Sequence, residues 1–145
     1  MNKYPTWWNQ TITVYNKFED ANRKIYWYST VLENCFWKYE HEKVIVGETA
    51  LVTDSTKCRI PKNENFIEKY LWNELEDKST KFTVGPGDII ILGEATDEVN
   101  EYVAGHRSTD LLNKYKKLQG AILVEEVTIN VGGGRHNEHY HIRGV

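Results

Sequence analysis

The chain has 145 residues and a mass of 17.0 kDa, the size of one domain around one core. Hydrophobic residues make up 40% and charged residues 27%, which excludes a disordered tail. No apolar run approaches the roughly 20 residues of a membrane-spanning helix, and a formal net charge of −3 argues against broad binding to a phosphate backbone.

Met1-Asn2-Lys3-Tyr4-Pro5 has no apolar h-region, so no secretory signal is expected. Two cysteines cannot build a disulfide framework, and a reducing compartment is expected. Val, Ile and Thr number 35 against 15 for Ala, Leu and Met, and five Trp and nine Tyr add to the bias. Branched and aromatic side chains suit a pleated, half-buried surface, so the domain is mostly β.

In chain order, Thr11 to Phe18 opens with strict alternation, Ile12 and Val14 on one face of a strand. A turn-prone Glu19–Lys24 segment leads into Ile25 to Leu32, and the two runs read as a hairpin. Glu33-Asn34 interrupts the run before Cys35-Phe36-Trp37-Lys38-Tyr39, which suggests a bulge that bends the strand. Lys43–Val46, Thr49–Thr53 and Thr56–Ile60 follow as short strands, ended by Pro61. From Asn63 to Asp77 the period changes. Phe66, Ile67, Tyr70, Leu71 and Leu75 form one stripe of a short amphipathic helix, with Asn63 or Asn65 as its cap.

Strand signals return at Lys81–Val84, then at Asp88–Gly93 after the Gly85-Pro86-Gly87 turn. Ser108-Thr109-Asp110 opens a helix through Leu111, Leu112, Tyr115 and Leu118, closed by Gly120. Ala121–Val131, a Gly132-Gly133-Gly134 turn and His139–Val145 make a C-terminal hairpin. Roughly nine short strands and two short helical insertions predict a mainly β fold, a small barrel or sandwich, as a single domain over 1–145. The expected core is Ile12, Val14, Trp27, Val31, Phe36, Ile89, Ile91, Leu123 and Val127.

Few residues suggest chemistry. His139 and His141 share a strand face, and His136 could reach them from the turn, a spacing that three zinc ligands would accept. A fourth ligand is missing, so the histidines are expected to be structural and no metal or other cofactor is predicted. Glu125 and Glu126 are adjacent on a strand and face opposite ways, while Glu74, Glu76 and Asp77 read as a solvated helix face. The Gly132–Gly134 run opens no helix and lacks a Gly-Lys-Ser/Thr ending, so it reads as a hairpin tip and not a phosphate cradle. Cys35 and Cys58 read as small buried hydrophobes. No catalytic constellation emerges, and the chain reads as a binding or structural module, not an enzyme. Its interface candidates are Trp7 and Trp8, the aromatics Phe66, Tyr70 and Trp72 of the insertion, and the Gly132, Gly133 and Gly134 tip.

The order of segments resembles a known family. An opening Thr11-Ile12-Thr13-Val14-Tyr15-Asn16-Lys17 strand precedes an aromatic Trp27-to-Leu32 strand and a Cys35-Phe36-Trp37 segment. Gly87-Asp88-Ile89-Ile90, a Leu111-Leu112-Asn113-Lys114-Tyr115 helix and a closing His139-Tyr140-His141-Ile142-Arg143-Gly144 strand follow. This layout is similar to small head-tail connector proteins of tailed bacteriophages and prophages of Gram-positive bacteria, above all the head-closure (stopper) proteins of the neck.

The resemblance implies a virion structural protein that assembles with itself as a ring beneath portal and adaptor proteins. It closes the DNA channel after packaging and presents a docking surface for a tail terminator or tail-completion protein. DNA passes without sequence-specific binding, and no membrane is involved. The location implied is the virion neck, and the host cytoplasm during assembly. The Asn63–Asp77 insertion departs from the simplest stoppers and leaves adaptor, tail-completion and minor capsid roles open. Two other classes stand beside these: a small β-barrel binding module such as a phage-encoded inhibitor, and a metal-dependent enzyme using the histidine cluster.

Overall fold

The computed structural model describes residues 7–47, 49–130 and 138–145. Six strands close into one antiparallel barrel: β1 (Gln10–Glu19), β2 (Ile25–Val46), β3 (Thr49–Pro61), β4 (Ile89–Leu92), β5 (Ala121–Asn130) and β6 (His139–Gly144). Around the barrel the order is β1-β2-β3-β6-β5-β4, with β4 returning to β1. Two short helices, α1 (Lys69–Trp72) and α2 (Ser108–Leu118), complete the domain. The mainly β class and the barrel agree with the sequence. None of the helices of the described residues is long and apolar enough to cross a membrane.

The strand count differs. The runs expected at 43–46, 49–53 and 56–60 belong to one long hairpin, paired from Phe36↔Arg59 to Val46↔Thr49 around Gly47. The expected 81–84 strand is reduced to a single parallel bridge, Phe66↔Phe82. The expected bulge in β2 is present. Pairing jumps from Gln10↔Cys35 to Ile12↔Leu32, and Asn34 takes φ +59°, a left-handed conformation that Asn tolerates better than most residues.

Alternation fills the barrel interior with Ile12, Val14, Leu32, Cys35, Cys58, Ile60, Ile90, Ile122, Val124, Tyr140 and Ile142. A second apolar layer lies outside the wall, where Tyr15, Ile89, Ile91 and Ala121 are covered by Ala95 and by Leu111 and Tyr115 of α2. That cover is local, which corrects two expected core positions. Val31 pairs with Thr13 and Leu123 with Ile89, so both sit on the outer face, but beyond the reach of α2 they are 42% and 39% exposed. Trp27, Phe36 and Val127 are half-buried.

The helix expected over Asn63–Asp77 contracts to the single turn of α1. Asn63 Oδ1 accepts the Asn65 N–H at 2.8 Å, and two backbone bonds at 3.0 Å, Phe82 N–H to the Asn65 carbonyl and Ile67 N–H to the Phe82 carbonyl, tie the segment to its neighbour. Backbone groups committed there cannot serve a helix, and the N-cap is Glu68, not Asn63 or Asn65. α2 forms where its stripe predicts. Its first turn is held by the Arg107 N–H donating to Asp110 Oδ2 at 3.1 Å and the Ser108 N–H to Glu101 Oε1 at 2.9 Å. It stops at Gly120, whose φ of +136° suits glycine and where a Cβ would stand 3.3 Å from Leu92 and Trp37.

Candidate functional site

Two of the expected interface aromatics present a surface. Trp7 is 65% and Tyr70 64% exposed. Trp8 is buried instead, its ring 6.3 Å from that of Phe36 and edge-on to His139 at 5.6 Å. Trp72 is also buried, edge-on to Phe18 at 6.2 Å and to Tyr28 at 5.7 Å, with its indole N–H donating to the Lys81 carbonyl at 3.3 Å. These two rings are core anchors, a correction to their place among the interface candidates. A one-turn helix has too few backbone bonds to hold itself in place, and the large apolar area of an indole supplies the attachment. Phe66 is half-buried, stacked on Tyr140 with centroids 3.9 Å apart. Gly132, Gly133, Gly134 and His136 lie outside the described residues.

Phe66 and Tyr70 stand on one wall of a groove of about 520 Å³, with Val127 and Ile129 of β5 on the other and buried Val84 between them. The groove exists because β4 is short. It pairs with β5 only from Ala121 to Leu123, and among the described residues no strand pairs with that edge of β5 farther along. Alternate N–H and C=O groups of an edge without a neighbouring strand face outward, ready for another strand.

A buried carboxylate fixes the wall that carries Tyr70. Asp88 is fully enclosed, and its oxygens accept from Asn16 Nδ2 at 3.0 Å, the Gly85 N–H at 2.9 Å, the Lys17 N–H at 2.9 Å and Lys69 Nζ at 2.8 Å. Lys69 also donates to the Lys17 carbonyl at 2.9 Å and lies 4.8 Å from the Trp72 ring centre. So many donors compensate the desolvation of one buried charge and clamp α1 against β1. In the sequence Asp88 reads only as the junction between the Gly85-Pro86-Gly87 turn and the Asp88–Gly93 strand. The available signal was an acidic residue directly before the fully apolar Ile89–Leu92 strand.

The remaining titratable groups tie elements together. Asp97 accepts from Lys114 Nζ at 2.7 Å and the Tyr115 hydroxyl at 2.6 Å, and its backbone carbonyl accepts from the Tyr15 hydroxyl at 2.9 Å. The Lys114 hydrogen bond, then that of Tyr115, holds the Asp97 carboxyl below its ordinary value. Burial first, then the Asp97 charge, pushes the Tyr15 phenol well up. Both thiols are free and buried. Desolvation pushes Cys35 up to about 12, and desolvation first, then the neighbouring Cys35, raises Cys58 well above the ordinary thiol value, so neither is a thiolate at neutral pH. Glu125 and Glu126 do not alternate as expected, because a bulge between Val124 and Glu126 leaves both exposed.

His139 and His141 do share the outer face of β6. His139 Nε2 lies 3.2 Å from the Asn130 amide, while His141 is half-buried across from Arg59, with its Nε2 lacking a hydrogen bond. Burial first and the Arg59 charge second depress the His141 pKa. Among the described residues no three His, Cys, Asp or Glu side chains come together as a metal site.

No curated protein and no solved structure matches the chain. A family model does, over residues 6–145, nearly its whole length. The chain belongs to that family of unknown function, DUF6751.

Proposed function

We propose that this chain is a structural protein of the neck of a tailed bacteriophage, one subunit of a ring that closes the DNA channel after packaging and receives the tail. Its partners in this reading are copies of itself, the portal or adaptor on the head side, and a tail terminator or tail-completion protein on the tail side. The observation that carries the reading is the closed six-stranded barrel, whose β1, β2, β4 and β6 contain strand segments of the connector-like layout. A closed wall with two apolar layers gives the rigid body that a ring subunit needs, and its projecting segments are left to make contacts. A charge of −3 suits a channel through which DNA must slide without being held.

The test is genetic and visual. Deleting the gene should give filled heads that leak DNA or fail to join tails, as seen by electron microscopy. Supplying the Trp7→Ala, Tyr70→Ala double variant should restore joining only weakly, since both rings are exposed and their loss spares the core. Normal tailed, DNA-filled virions from the deletion alone would sink the assignment.

A further inference from the structure

One end of the barrel interior opens into a pocket. Thr56, Cys58 and Ile60 alternate inward along β3, and Tyr39 and Trp37 of β2 stand opposite Thr56 and Cys58, so these side chains share the inner face. Trp37 is half-buried against the apolar interior, whereas Tyr39 is exposed at the rim. Lys116 and Gln119 from the end of α2, with Gly120 after it, complete the lining. The pocket measures about 540 Å³. That falls within the roughly 300–1,000 Å³ of small-molecule sites, which favour the mouths of β-barrels. Gly120 sets where the pocket ends, because the Trp37 ring lies against its bare backbone and a Cβ there would stand 3.3 Å from that ring.

Two polar side chains of the lining lack a partner. Thr56 is only 6% exposed, yet its hydroxyl makes no hydrogen bond among the described residues. A buried hydroxyl without a partner carries a desolvation cost that a ligand's polar group would relieve. Lys116 is exposed, makes no ion pair among the described residues, and is the one charged side chain in the lining. Gln119 is committed elsewhere, its amide N–H donating to the Leu92 carbonyl.

We propose that this barrel mouth binds a small, planar aromatic acid: the ring packs against Trp37 and Tyr39, the carboxylate meets Lys116 at the rim, and a hydroxyl at the far edge of the ring pairs with Thr56. The inference stands apart from the neck reading and does not depend on it. Aromatic walls suit a flat ring, which packs on them offset or edge-on. Lys116 sets the sign of the charge. A cationic ligand would meet that ammonium and find no carboxylate side chain in the lining to receive it. A saccharide would gain from the same rings, but its many hydroxyls would be left largely unpaired beside one free hydroxyl and one ammonium.

Titrating the full chain with 6-hydroxy-2-naphthoate, 2-naphthoate, 2-naphthol and methyl glucoside, followed by two-dimensional NMR, tests this. The hydroxylated acid should bind most tightly and shift the Trp37 indole N–H and the Gly120 amide. Lys116→Gln should weaken both acids about fivefold, the loss of one partly exposed ion pair, and leave 2-naphthol unchanged. Thr56→Val keeps the shape and removes the hydroxyl, so it should weaken 6-hydroxy-2-naphthoate about fivefold and spare 2-naphthoate. Lys116 is exposed on α2 and its replacement spares the core, so the charge comparison holds even where Thr56→Val unsettles the barrel. Acids that bind no better than 2-naphthol would overturn the proposal, as would unmoved Trp37 and Gly120 signals. Tighter binding of methyl glucoside, or an equal effect of Lys116→Gln on charged and neutral probes, would overturn it too.

Discussion

At the residue scale, single side chains hold together parts of the fold that strand pairing does not reach. Asp88 joins β1, α1 and the Gly85 turn, and Asp97 joins α2 to the wall through Tyr15 and Tyr115. His141 acts in the opposite sense, because its surroundings favour the neutral ring: desolvation and Arg59 oppose the charge, His139 and Lys57 add to them, and only Glu126 favours it. The folded pKa lies below the unfolded 6.5, so the unfolded chain takes up the proton first on acidification. Stability is then fully present above 6.5 and is lost as pH falls from there through the lower folded value. Urea midpoints measured downward from 6.5 should decline less steeply for His141→Gln than for the native chain. Equal slopes would refute the assignment. The cost of charging this ring is not visible from its place in His-Tyr-His, since it comes first from burial and then from Arg59 across the β3–β6 pairing.

At the scale of elements, most of the strands were legible and strand cover was not. Alternation places Ile12 and Val14 inside, as found, and identifies β4 from four consecutive apolar residues. It does not say which outward positions another layer will cover. Ile91 and Val31 both point outward, yet Ile91 is fully buried under the outer layer and Val31 is 42% exposed. Ile91→Ala should therefore cost about 2–5 kcal/mol in denaturant unfolding, while Val31→Ala should stay within roughly 0.5 kcal/mol. Similar losses at both sites would show that the outer layer extends farther than α2 takes it. The 63–77 insertion fails as a helix for a related reason. Its apolar period is genuine, but Asn65 and Ile67 give their backbone groups to Phe82, a partner 15 residues away from Ile67.

For the whole molecule, closure makes the six strands one cooperative unit. β4 is the short link, paired with β1 over Ile12–Tyr15 and with β5 over Ala121–Leu123, so loosening it opens the wall on both sides. Thermal unfolding followed by tryptophan fluorescence, which reports buried Trp8 and Trp72, should coincide with the far-ultraviolet circular dichroism transition. Separated midpoints would show that the α1 insertion melts on its own.

The sequence by itself determined the β class, the hairpin at each end of the chain, the bulge near Asn34, α2 and its stop at Gly120. All of these rest on local periodicity, turn chemistry and capping, which act over a few residues. Only the tertiary structure decided that Trp8 and Trp72 are core, that Val31 and Leu123 are not, and that three expected runs belong to one long hairpin. It also decided that a groove opens beside β5. The physical reason is common to these outcomes. Burial, edge exposure and buried-charge compensation depend on what packs from distant parts of the chain, and local pattern carries no record of a partner such as Asp88 for Lys69 or α2 for Ile91.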